Sequence, residues 1–253
     1  MLFKKSRFLD ADLEDWLLET MAWLMRNLGG TARLRRTPSI TPSANYFPPT
    51  NSEGAARGAY IFDRVKLLMG LTDWPCELEA YERLEANAKV GELLLLRNAQ
   101  LPNGLFRVEK GRATIAYAAD LVARPKALIA TLAHELSHYL LACIEEPPPG
   151  DHEIAHELAA DLCVVYCGFG VFGANAAFEF EQHSDAFGQG WSSRHSGYFS
   201  ERTWAFALAV MATLKEEGIP DSFLKPSVAQ LSNDAMRYLS RRPELLTPLR
   251  EIA

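Results

Sequence analysis

No stretch of the 253 residues reaches the roughly 18–20 consecutive apolar residues that a membrane-spanning helix requires. Basic residues are not in excess either. Lys and Arg number 26 against 32 Asp and Glu, a formal net charge of -6, so nucleic acid is not the expected partner. Cysteine is scarce: Cys76, Cys143, Cys163 and Cys167 form no disulfide framework, and a reduced, cytoplasmic protein is the expectation. Cys163 and Cys167, four apart on an expected helix, read as buried thiols rather than metal ligands. The first thirty residues lack the apolar core of a secretory leader, because Asp10, Asp12, Glu14, Asp15 and Glu19 interrupt them, so no leader is expected. There is no internal repeat and no low-complexity tract.

The patterning divides the chain into an N-terminal amphipathic helix (1–30), a linker (31–54) and a catalytic-sized domain (55–253). Leu13, Trp16, Leu17, Met21, Leu24, Met25 and Leu28 recur at helical spacing, and Gly29-Gly30 is expected to stop that helix. The opposite face is acidic, so the stripe is expected to pack onto the domain or onto a protein partner rather than a membrane surface. Pro38, Pro42, Pro48 and Pro49 mark an extended connector, with Arg33, Arg35 and Arg36 solvated.

Helices are expected over about 53–69 and 77–88, then short strands at Glu92–Arg97, Leu105–Glu109 and Arg112–Ala118. Lys110-Gly111 makes the last two a hairpin. A long apolar helix spans Lys126–Ile144 until Pro147-Pro148-Pro149-Gly150 ends it. Asp151 is placed to cap the next helix, about 152–167, which Gly168–Gly173 breaks. Residues 181–200 read as a loop, Ser200 caps a helix to about Glu217, and the tail from Pro226 is helical.

The chemistry is concentrated in the long apolar helix, which carries His134-Glu135-Leu136-Ser137-His138. Four-residue spacing puts both imidazoles on one helical face, where they can share one cation. With 6 His in the chain, chance supplies roughly 0.01 copies of this pattern. Catalytic zinc keeps about three protein ligands plus a water. Glu135 is then placed to take a proton from that water. Glu157, on the next helix, can supply the third ligand. Asp161, one turn further on, can accept the free N–H of a ligand histidine.

A second copy of the pattern, His152-Glu153-Ile154-Ala155-His156, competes with the first. Its first histidine falls in the opening helical turn. Its third ligand would have to come from Glu179, Glu181 or His183, so the first copy is preferred.

The order HExxH, then Glu-x-x-x-Asp on the next helix, resembles the gluzincins, the thermolysin-like branch of the zincin metallopeptidases. The likeness covers about Thr114–Asp161 and extends weakly to about residue 210. It implies His134, His138 and Glu157 as zinc ligands, Glu135 as general base and Asp161 as support for a ligand imidazole. It also implies a strand before the active-site helix, here Arg112–Ala118, whose edge holds an extended peptide. A downstream donor for the oxyanion is implied too, with His195 first, Tyr198 next and Arg194 behind them. The chain departs from the family in having His156 where Asn is usual before the third ligand. Asp161–Phe178 and Gly197–Glu201 also look like uncharacterised bacterial HExxH proteins.

The expected fold is therefore α+β and mostly helical, a zincin-like domain with a small sheet beside the active-site helix. The expected function is zinc-dependent hydrolysis of a peptide or protein substrate. Two rivals are a metal-binding regulatory or interaction module without proteolysis and a metal-free helical scaffold.

Overall fold

The computed structural model describes residues 7–82, 103–150, 152–184 and 199–253, the side chains of 178–184 excepted. Helix predominates over one small sheet, and the described residues form two compact units, Met1–Pro42 with Leu140–Ala253, and Ser43–Tyr139. No described helix is long and apolar enough to cross a membrane.

In Ser43–Tyr139 the first element is α3 (Gly54–Met69). It ends where Gly70, at φ +74, takes the left-handed conformation and lets Leu71 N–H return to Lys66 O at 2.8 Å. Strands β1 (Cys76–Tyr81), β2 (Gly104–Glu109) and β3 (Arg112–Ala118) follow, in sheet order β1-β3-β2. The hairpin forms at Lys110-Gly111, whose φ values of 50° and 77° suit the tight turn that matches strand twist.

Two expectations fail here. Residues 76–81, read as the start of a helix, pair in parallel with β3 over six positions. Their Glu, Leu and Ala content favours helix only weakly, and the buried β3 backbone must find partners on both sides. With β1 on one side and β2 on the other, β3 is the central strand. Arg112–Ala118 therefore has no free edge for a peptide. The expected strand at Glu92–Arg97 lies outside the described residues.

Helix α4 (Pro125–Ala142) starts on a proline, which suits a first helical position whose N–H needs no partner. From Leu128 to Ser137 every residue except His134 is buried.

In the other unit, α1 (Ala11–Asn27) is capped by Asp10 and buries Leu17, Met21 and Leu24 completely. The chain itself covers the apolar stripe, through α2, α5 and α9. Glu14 is turned inward from the acidic face. Its Oε2 accepts the N–H groups of Phe8 and Leu9, and its Oε1 accepts the Tyr238 hydroxyl at 2.7 Å. Burial, with that bond, pushes the Tyr238 phenol up to about 12.

Gly29-Gly30 bends the chain, but α2 (Gly30–Arg36) follows at once where a connector was expected, because Leu34 is buried. Arg33 is not solvated linker: its guanidinium lies 5.8 Å from the Tyr166 ring centroid. All four cysteines are free thiols, and Cys163 and Cys167 are buried.

The remaining helices of this unit are α5 (Glu153–Tyr166), α6 (Gly170–Ser184), α7 (Glu201–Lys215), α8 (Pro226–Ser240) and α9 (Thr247–Arg250). Ser200 caps α7 as expected, accepting Thr203 N–H at 3.2 Å. The glycines expected to break the chain over 168–173 mostly do something else. Only Cys167–Phe169 interrupts the helices. Gly173 sits inside α6, where a Cβ would come 2.2 Å from the Trp204 ring of α7. Its lack of a side chain is what lets the two helices approach.

Gly173→Ala should accordingly overpack this interface and destabilise the protein by about 1–3 kcal/mol, read as a lowered urea midpoint. An unchanged midpoint would contradict the packing.

Candidate metal centre

On α4 the two histidines are the half-exposed residues of an otherwise buried stretch. Their Nε2 atoms lie 3.1 Å apart, with ring centroids 4.7 Å apart and planes at 79°. Helical spacing accounts for the shared face, and the tilt of the rings brings the two nitrogens together. Glu135, between them in sequence, is 7% exposed. Ser137 is fully buried and donates to Ala133 O at 2.8 Å, so it belongs to the packing of the helix.

On α5, Glu157 is half-exposed and Asp161 is 3% exposed. Asp161 Oδ2 accepts Phe199 N–H at 2.9 Å, holding the residue just before the Ser200 cap. His134 and His138 on α4 and Glu157 on α5 are side chains of the kinds that could hold a metal ion.

The second HExxH copy has a different geometry. The cap of α5 is His152: its backbone is extended, at φ -145 and ψ 160, and its Nδ1 accepts Ala155 N–H at 3.1 Å, while Asp151, expected as the cap, lies outside the described residues. His152 therefore stands outside the helix. The one-face relation that four-residue spacing gives inside a helix does not apply to it. His152, Glu153 and His156 are all exposed. His195, Tyr198 and Arg194 lie outside the described residues, as do the side chains of Glu179, Glu181 and His183.

Reading residues one at a time missed Gly104. It opens β2, and a Cβ there would lie 2.5 Å from Thr131 Cγ2 and 2.7 Å from Glu135 Oε1. The glycine thus brings the strand backbone directly against the carboxylate. Asn103 O accepts Ala118 N–H at 3.0 Å, which fixes the phase of the ladder. The backbone groups of residues 103, 105, 107 and 109 face β3, and those of Gly104, Phe106 and Val108 face the outer edge. Among the described residues, no strand pairs with that edge. The sequence signal was present in Asn103-Gly104 ahead of an apolar strand. Recognising β2 as the edge also required knowing that β1 covers the far side of β3.

Comparison with protein-family models, with curated proteins and with solved structures returns no match.

Gly104→Ala should displace the Glu135 carboxylate and lower stability by about 1–3 kcal/mol, measured by thermal or urea unfolding. His152→Ala should cost about 0.5–2 kcal/mol as a lost helix cap, in the same measurement. A neutral result for either would remove the role assigned to that residue.

Proposed function

We propose that this protein is a zinc-dependent hydrolase, a peptidase, in which His134, His138 and Glu157 hold the ion and Glu135 is the general base. The observation that carries the reading is the 3.1 Å separation of the His134 and His138 Nε2 atoms. Two nitrogens each about 2.0–2.1 Å from one tetrahedral zinc stand about 3.3 Å apart. The third donor is a carboxylate, and two imidazoles with one carboxylate form a donor set characteristic of catalytic zinc. All three ligands are half-exposed, which suits a site that must admit water and substrate. The order of the residues also resembles the gluzincins, and the zincin-like assignment rests on that likeness.

Zinc at this site would supply Lewis acidity, lowering the pKa of a water and polarising the carbonyl under attack. Glu135 accepts the proton of the attacking water at a carboxylate oxygen and passes it to the departing amine nitrogen as the C–N bond breaks and a C–O bond replaces it. Its burial holds the carboxylate close against Gly104 at the start of β2. Gly104 and Phe106 offer N–H and C=O groups along the outer edge of β2, where an extended peptide can add as a strand. This assigns to β2 the role first expected of Arg112–Ala118. Asp161 is the proposed support for a ligand imidazole, and His195 and Tyr198 are the proposed donors to the oxyanion.

Glu135→Gln should lower peptide hydrolysis by about 10²–10⁴-fold while zinc content is unchanged. Cleavage of a peptide library and metal analysis on the same untagged preparation read both quantities. Full activity in the variant would overturn the role of Glu135. Bound zinc with no cleavage by the unaltered protein would favour a non-proteolytic binding module.

A further inference from the structure

On the face of β2 that carries Gly104, the next side chain is Phe106. Its ring stacks on Tyr139, with centroids 5.5 Å apart and planes at 25°. Tyr139 stands one helical turn beyond Glu135. The Tyr139 ring meets Trp74 edge-on, with centroids 5.0 Å apart, and its hydroxyl donates to Pro75 O at 3.0 Å, which holds it in place. All three rings are half-exposed, and Val108, 57% exposed, continues the row along the strand. The charges of the sheet lie on its other face, where Arg107 pairs with Glu79. One face of the strand edge is therefore an aromatic and aliphatic shelf that begins where the Glu135 carboxylate ends.

Alternate residues of an extended peptide point to the same face. On a strand laid antiparallel along the outer edge of β2, the residue opposite Gly104 lies beside Glu135. The residue two positions earlier in the peptide lies opposite Phe106. We propose that Phe106, Tyr139 and Trp74 form a specificity subsite for a bulky apolar side chain, such as Phe or Leu, carried two residues before the one paired with Gly104. The inference rests on the peptidase reading of the site, and it names the substrate class: peptides with an apolar residue on the N-terminal side of the cleaved bond. Phe106 and Tyr139 would be specificity residues rather than catalytic ones, since neither reaches the reacting atoms.

The test uses the full chain carrying Glu135→Gln in zinc-containing buffer, so that binding is read without cleavage. The probes are fluorescent nonapeptides of Gly and Ser with one central residue set to Phe, Leu, Gly or Asp. Peptides with Phe or Leu should bind about tenfold more tightly than those with Gly or Asp, as expected for partial burial of one such side chain. Adding Phe106→Ala should bring the four affinities to within about twofold of one another. Adding Phe106→Leu, which keeps a side chain over Tyr139 and guards against loss of folding, should retain part of the preference. Adding Leu67→Ala, which removes an apolar side chain 51% exposed on α3, should leave the preference intact.

Four equal affinities, including no measurable binding, would overturn the proposal. So would a preference that survives Phe106→Ala or disappears with Leu67→Ala. Cleavage of the same peptides by the chain with Glu135 intact is scored separately. A binding preference without cleavage removes the peptidase reading and leaves the shelf standing. Cleavage without any preference removes the shelf and leaves the peptidase reading.

Discussion

Helix α4 is buried on nearly every side, and that burial governs what its polar residues can do. A buried polar group needs a partner, because leaving it unpaired costs free energy. From Leu128 to Ser137 the helix is mostly apolar, closes Ser137 onto Ala133 O and opens to solvent at His134, with His138 open just beyond; the buried Thr131 hydroxyl is the exception, with no hydrogen-bond partner among the described residues. The two imidazoles bring their Nε2 atoms to 3.1 Å from one another, the spacing on which the proposed metal site rests. Glu135 stays buried beside them because Gly104 leaves room for its carboxylate. Sheet and site are thus coupled through a single missing side chain.

The two copies of HExxH show why spacing alone does not make a site. The pattern requires helical backbone at both histidines. His134 and His138 both lie within α4. His152 has extended backbone and spends its Nδ1 on capping α5, which leaves the second copy as an exposed helix start. The two segments share the His, Glu and His of the pattern, and the proline-rich turn precedes only the second copy, whose first histidine has extended backbone.

Features settled by local chemistry were legible in the sequence. Lys110-Gly111 marked the hairpin, Ser200 the start of α7, Pro226 that of α8, and the run after Pro125 the helix bearing the histidines. Features settled by distant partners were not. Residues 76–81 have helix-forming composition and become a strand because β3 needs a neighbour. That pairing makes Arg112–Ala118 central and, among the described residues, leaves β2 at the edge. Gly170 and Gly173 looked like breakers and instead admit Leu208 and Trp204 against α6. The aromatic contact of Phe106 with Tyr139 joins residues that no periodicity connects.

The central claim is that the first HExxH copy, with Glu157, holds one zinc ion. Its most direct measurement is the zinc content per chain of untagged protein in which each histidine pair is removed in turn. The account predicts one zinc in the unaltered chain, none in the His134→Ala, His138→Ala double variant and one in the His152→Ala, His156→Ala double variant. No zinc in the unaltered chain, or loss of zinc on removing the second pair rather than the first, would contradict it.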